Sequence, residues 1–381
     1  MFTSRHHHHI EKILHLRSRL GKLYWHLLMQ TFAVSLISVF MPIYLLTVGF
    51  SLPSVILFII VQWAMFGLPS PLYGKVIRRI GLREVILIRT PLFAASMFIL
   101  TLLESQQWHG LYLIAALLSG ISGGLYTLSI TSLFATYVGE RKQNEKTAEF
   151  MAVPKMVSII GPALGGAIVV FSGFMTLFAS VMVIMLLSLI PLSFVKKNLD
   201  HPTFTLTFFR SLKFELRDFL FLNLYGIKTV SEMIILPVAV FIYSNDILSL
   251  GFLVSLISLC FTIVSIAVGK LSDRHGRVLI IRTGGVLNAL IFLGLGLFLD
   301  SPMFVYLFLV SGFFTATLNV PYESRIYNHS RDSGSPIEYL AFKEFSFAFG
   351  RVLLLVVLLL SFSLGLAFYG SSLASLAFIL F

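Results

Sequence analysis

Six charged residues, Lys155, Lys228, Glu232, Lys343, Glu344 and Arg351, fall inside stretches that are otherwise apolar for about twenty residues. A charge at the centre of a bilayer costs at least ~2.5 kcal/mol on insertion scales, so such a side chain faces a cavity or a partner. Lys228 and Glu232 are four apart, share one helical face and can neutralise each other. A self-paired bridge and a substrate or proton site are both open for them. Glu344 and Arg351 are seven apart and lie on one stripe, separated by roughly 10 Å of helical rise, so only a ligand, water or another helix can join them. Four cations against two carboxylates leave a positive surplus, which suits an anionic or zwitterionic small solute. Glu232 and Glu344 are the candidate proton carriers, being the carboxylates of the group. His26 and Gln30 occupy one face of the first apolar stretch; lining the cavity and hydrogen bonding between helices are both open for them.

The elements that must position these residues are membrane helices. The chain is 57% hydrophobic and only 12% charged, against about 25% charged for a soluble domain. Its apolar runs of about 20 residues suit helices across a ~30 Å hydrocarbon core, whereas barrel strands would be about ten residues with strict alternation. Twelve spans are predicted, at 24–48, 52–73, 85–103, 111–137, 149–171 and 175–195, then 219–243, 247–268, 278–299, 304–322, 340–361 and 364–381. The single Cys260 excludes an internal disulfide or a multi-thiolate metal site. No cofactor is expected, because no Gly-x-x-x-x-Gly-Lys-Ser/Thr loop is present to hold ATP. No metal-ligand or nucleophile constellation lies inside the spans, which argues against a membrane enzyme.

The net charge of +11 is distributed by parity. Residues 1–23, the connection 196–218 and the loops after the other even-numbered spans carry the Lys and Arg, whereas the loops after odd-numbered spans carry only Glu104, Asp246 and Asp300. The positive-inside rule then puts both termini in the cytoplasm, with residues 1–23 as a leader and 196–218 as a linker. The charge is one of orientation, and no nucleic-acid partner is expected. His6 to His9 in the leader resemble a tag more than a metal site.

The two halves, 24–195 and 219–381, match each other. Gly269-Lys270-Leu271-Ser272-Asp273-Arg274-His275-Gly276-Arg277 follows span eight, and a worn copy from Gly74 to Arg83 follows span two, 195 residues earlier. Pro42 and Pro237 repeat at the same offset, and Glu149 and Gly161 pair with Glu338 and Gly350 at 189. A duplicated six-helix unit places a binding site at the interface of the halves, near the bilayer midplane.

This pattern resembles the major facilitator superfamily, whose Gly-x-Leu-x-Asp-Arg-x-Gly-Arg signature is met by Gly269, Leu271, Asp273, Arg274, Gly276 and Arg277. The resemblance implies an all-α membrane protein of twelve helices in two pseudo-symmetric halves. It also implies a cytoplasmic gate, in which Asp273 meets the entrance of span eleven near Glu338. Gly74, Arg79 and Gly81 are the first half's counterparts, but Arg78 stands at the carboxylate position and Leu82 at an arginine's, so that half must latch differently or open more readily. Gly161, Pro162, Gly165 and Gly166 resemble the Gly-Pro-x-x-Gly-Gly core of the superfamily's drug antiporters and predict a helix bend. Span four has Ala116 where the family's membrane arginine stands, which weakens a simple proton-antiport reading. Arg89 and Arg282, in matching Ile-Arg-Thr triplets, are expected to snorkel to the membrane surface. Gln62 is a cavity candidate, and Asn319, Tyr322 and Glu323 are gate candidates.

The expected function is secondary active transport of a small solute by alternating access, with proton-coupled efflux or antiport and uptake of an anionic metabolite as the two directions. The expected setting is the plasma membrane, as a monomer among lipids. A non-transporting sensor or a lipid-handling protein on the same scaffold is the competing class.

Overall fold

A computed structural model describes residues 19–104, 110–137, 143–194, 216–333 and 335–381; within them the regular elements are helices. Among the described residues nine helices are long and apolar enough to cross a membrane, and a tenth crossing is a pair bent by 48°. One of the nine covers 38 residues, Met156–Ser193, about twice what a bilayer requires. Its backbone breaks at Gly173 (φ 83°, ψ 167°), so it crosses twice. With the shorter apolar helix Leu364–Leu380, twelve crossings result, at the positions expected.

The first crossing is α1 (Arg19–Ile37) and α2 (Phe40–Thr47), and the second is α3 (Leu52–Gly67) and α4 (Ser70–Ile80). Next come α5 (Leu82–Thr101), α6 (Leu111–Tyr137), and α7 (Gln143–Leu187) with α8 (Leu189–Ser193), which form crossings three to six. The second half has α9 (Leu216–Val230) continuing into α10 (Leu236–Ser244), then α11 (Ile247–His275), α12 (Arg277–Leu297), α13 (Met303–Asp332), α14 (Pro336–Ser361) and α15 (Leu364–Leu376).

Prolines explain most of the breaks. A proline removes one amide donor, and its ring clashes with the carbonyl four residues earlier. Pro42 thereby opens the helix at Ser38, between α1 and α2. Pro69 and Pro71 lie at the bend between α3 and α4, where the Tyr73 hydroxyl donates to the freed Met65 carbonyl. Pro237, the repeat of Pro42, widens the helix into one π turn, Ser231–Ile235, with the Leu236 amide bonded to the Ser231 carbonyl.

Large apolar side chains such as Phe171, Phe252, Ile266, Leu290, Tyr306 and Leu360 point outward, the surface that lipid rather than water must cover. Inside, one continuous core joins both halves at the end away from the basic turns, from Phe40, Tyr44 and Phe58 to Leu236, Val240 and Leu250. At the basic end the core divides. One cluster belongs to the first half together with Ile337, Leu340 and Ala341 of α14, and the other to the second half around Tyr225, Tyr322 and Phe347.

Asp246 starts α11 at the sealed end, accepting from the Leu248 amide at 3.0 Å and from the Ser249 hydroxyl. The Ser249 hydroxyl, followed by the helix-start amides, holds this exposed carboxyl below the usual carboxylate range. A depressed folded value means that the cap stabilises above the unfolded value of about 3.9 and fades as pH falls through the folded one. Asp246→Ala is expected to cost about 1 kcal/mol near neutrality, and thermal unfolding across pH should show the difference from wild type shrinking below about pH 4.

Candidate substrate site between the halves

The first part of the site stands on the π turn. Tyr225, Lys228 and Glu232 are spaced three and four apart, so α9 and the π turn that follows it present them on one face. The Lys228 ammonium lies 2.7 Å from Glu232 Oε2 and 2.5 Å from Asn319 Oδ1 on α13, while Asn319 Nδ2 sits 3.3 Å from each Glu232 oxygen. One turn away the Tyr225 hydroxyl donates to Glu323 Oε1 at 3.1 Å. Lys228 is fully buried, whereas the Glu232 side chain keeps 19% of its surface open. Lys228 is thus held by its neighbours, and the open face of the cluster is the carboxylate.

The second part is a stripe on α14. Lys343 and Glu344 pair at 2.8 Å. Phe347 lies between two cations, with Lys343 Nζ 5.1 Å and the Arg351 guanidinium 5.4 Å from its ring. Arg351 also stacks at 4.1 Å over the indole of Trp63, on α3 of the other half. Its hydroxyl partner, Thr229 Oγ1, is at a long 3.4 Å. Aromatic faces rather than a carboxylate therefore hold this cation. The Tyr225 ring connects the two parts, 5.2 Å from Phe347 and 4.9 Å from Tyr322.

Five of the six intramembrane charges thus converge, and Glu323 joins them. The Lys155 side chain lies outside the described residues. Among the described residues, Lys228, Lys343 and Arg351 stand against Glu232, Glu323 and Glu344, three of each sign, where the sequence set four cations against two carboxylates. His26 and Gln30 are elsewhere, buried within the first half, where His26 Nδ1 meets the Ser188 carbonyl at 2.8 Å and Gln30 Nε2 donates to Ser188 Oγ at 2.5 Å. Gln62 donates to Ser119 Oγ at 3.0 Å. Tyr225, Thr229 and Trp63 are additions that spacing alone did not single out, although Tyr225 shares the helical phase of Lys228 and Glu232.

The signature turns differ from the expected loop. Gly74 and Arg79 lie in α4, and Gly269 and Arg274 in α11; only Gly81 (φ 108°) and Gly276 (φ 88°) leave the helix, in a backbone region that glycine adopts without penalty. Arg78 and Arg79 sit in the last turn of α4, where the helix dipole favours cations. Arg83 donates to the Leu192 and Ser193 carbonyls at 3.2 and 2.6 Å, satisfying acceptors at the end of crossing six. Arg277 opens α12. The side chain of Asp273 lies outside the described residues, and with it the expected latch to the α14 entrance; Glu338 there is buried.

The predicted bend at Gly161 to Gly166 is replaced by a close-packed seam, because these residues keep helical backbone and the break falls at Gly173. A Cβ at Gly165 would strike the Leu36 carbonyl, and one on Gly251 of α11 would come 2.6 Å from the Pro162 carbonyl. The Ala163 amide donates across the halves to Ser255 Oγ at 2.9 Å. Proline lacks the donor that would block this approach, and glycine lacks the side chain. Arg89 is corrected too: it is 2% exposed, while its counterpart Arg282 is exposed.

Twelve crossings in two repeated halves define a multi-pass membrane protein. Residues 23–335 match the Major Facilitator Superfamily, and the chain belongs to it. No curated protein matches it in sequence. Among solved structures it is similar to a POT family transporter in complex with a thioalcohol-conjugated peptide (TM-score 0.77, 12% identity, 94% of each chain covered). A POT family transporter in complex with 5-aminolevulinic acid gives 0.75 at 12% identity, again over 94% of each chain. A mutant of the nucleoside transporter NupG gives 0.70 at 15%, over 94% of this chain and 98% of that one. At these identities the likeness is one of fold.

Proposed function

We propose that the protein is a secondary active transporter that carries a small zwitterionic organic solute across the plasma membrane by alternating access, coupled to protons. The observation that carries this is the charge-balanced site, in which a cation without a carboxylate partner among the described residues, Arg351, reaches the opposite half, while a partly open carboxylate, Glu232, stands on the far side of the Tyr225 and Phe347 rings. A solute carboxylate would pair with Arg351 and Lys343. Its ammonium would take Glu232 or Glu323, and Glu232 or Glu344 would carry the proton. Lys228 acts as a positioning residue for Glu232. Of the anionic and zwitterionic solutes that the sequence left open, anions fit less well once Glu323 is counted. Efflux by antiport is the second reading, supported by the glycine-proline seam between α7 and α11.

The test is uptake of labelled dialanine into proteoliposomes under an imposed pH gradient of either sign. Accumulation that follows the gradient, with Arg351→Gln reducing it about tenfold for loss of one charge-assisted contact, is expected. Accumulation in the opposite direction selects antiport. If no zwitterionic solute moves under either gradient, the reading fails.

A further inference from the structure

Arg89 is a buried cation that the central site does not use. It lies on α5, seven residues from the basic end, and its guanidinium stacks 3.9 Å over the ring of Tyr126 on α6. His26 of α1 meets the same ring edge-on, with centroids 5.9 Å apart. No ion pair involves Arg89 among the described residues, and its Nε and Nη2, together with the Tyr126 hydroxyl and His26 Nε2, are buried without hydrogen-bond partners there. A desolvated charge left in this condition is costly unless a counter-charge meets it.

The two unpartnered Arg89 nitrogens are informative because Nε–H and Nη2–H lie on one edge of the guanidinium. That edge is the fork that receives two oxygens of a carboxylate side by side. Below the plane the Tyr126 ring supports the cation, and its hydroxyl adds a further free donor. His26 supplies no donor there in its neutral form, since Nδ1, facing the Ser188 carbonyl, carries the hydrogen and Nε2 is a lone pair.

We propose that Arg89 and Tyr126 form a second, internal oxyanion site within the first half, between α1, α5 and α6 near the basic end, for a small carboxylate. That carboxylate belongs either to a free anion or to the transported solute. The competing arrangement, Arg89 hydrogen-bonded to His26 Nε2 with no ligand, predicts no response to carboxylates.

The test is thermal unfolding of the full detergent-purified chain titrated with potassium acetate against potassium chloride at fixed ionic strength, and separately with dialanine. A saturable rise in Tm with acetate beyond chloride is expected in the wild type and persists in Arg351→Gln, the background that removes the central site's own carboxylate partner. Tyr126→Phe, which keeps the ring under the guanidinium, should raise the half-saturating concentration roughly tenfold, and Arg89→Lys, which keeps the charge but not the fork, should abolish the rise. If dialanine alone produces an Arg89-dependent rise, the carboxylate is the solute's, and the site stands. The proposal is overturned by no rise with either compound, by a rise unaffected in Tyr126→Phe and Arg89→Lys, or by a rise lost in Arg351→Gln, which would assign it to the central site.

Discussion

Glu232→Ala is expected to lower stability by about 3 kcal/mol, because it leaves Lys228 fully buried with Asn319 and the Tyr225 ring, but no paired carboxylate, to meet its charge. The lower end of the usual range for breaking a buried pair applies, since Asn319 stays and the Glu232 side chain is 19% exposed in the intact cluster. Removing both charges, as Lys228→Met with Glu232→Met, should restore most of that loss, because desolvating an ion pair roughly cancels its attraction. Transport should not return with stability. Thermal unfolding and dialanine uptake on wild type and these two variants separate the roles: a double variant that is stable and inactive makes Glu232 part of the transport site, whereas one that is stable and active makes the pair a structural brace and removes it from the mechanism.

Gly67→Val should abolish most transport while leaving a folded protein. A Cβ at Gly67 falls on the Glu344 carbonyl oxygen and on Ala348 Cβ, across the seam between α3 of one half and α14 of the other. Ser70 Oγ, donating to the Ala341 carbonyl at 2.6 Å, continues the same seam. Overpacking costs roughly 1–3 kcal/mol, but here the halves can move apart rather than unfold, so the cost falls on the state that needs the seam closed. As a shift between two conformations that is about five- to 150-fold in population. Gly350→Val is the control, because its Cβ meets the Asn223 backbone inside one half and should reduce Tm and yield instead. Equal loss of Tm in both variants would show that the α3–α14 contact is fold rather than moving seam.

Why these sites were only partly legible follows from particular residues. Lys228 and Glu232 were readable as a pair because four residues make one helical turn. Glu323 was visible as a polar residue at the foot of span ten, but nothing in its neighbourhood in the chain says that Tyr225, 98 residues away, binds it. Arg89 and Arg282 stand in the same triplet, yet one is buried and the other exposed, because α5 and α12 turn those positions to different surroundings. The signature was read as a loop on its charge and glycine content, although only one glycine in each copy leaves the helix.

The sequence by itself determined the class of protein, the twelve crossings, the two repeated halves and the alternation of charge between them. Each is a local or summed property: a bilayer demands a fixed apolar length and internally satisfied backbone, whatever neighbours the helix later finds. Only the tertiary structure decided which charges meet, that the described charges of the central cluster balance in sign, and that Arg89 lies inside the first half with no ion pair among the described residues. Those depend on the rotation of each helix about its axis and on side chains from helices distant in sequence, which are set by packing against neighbours rather than by hydrophobicity.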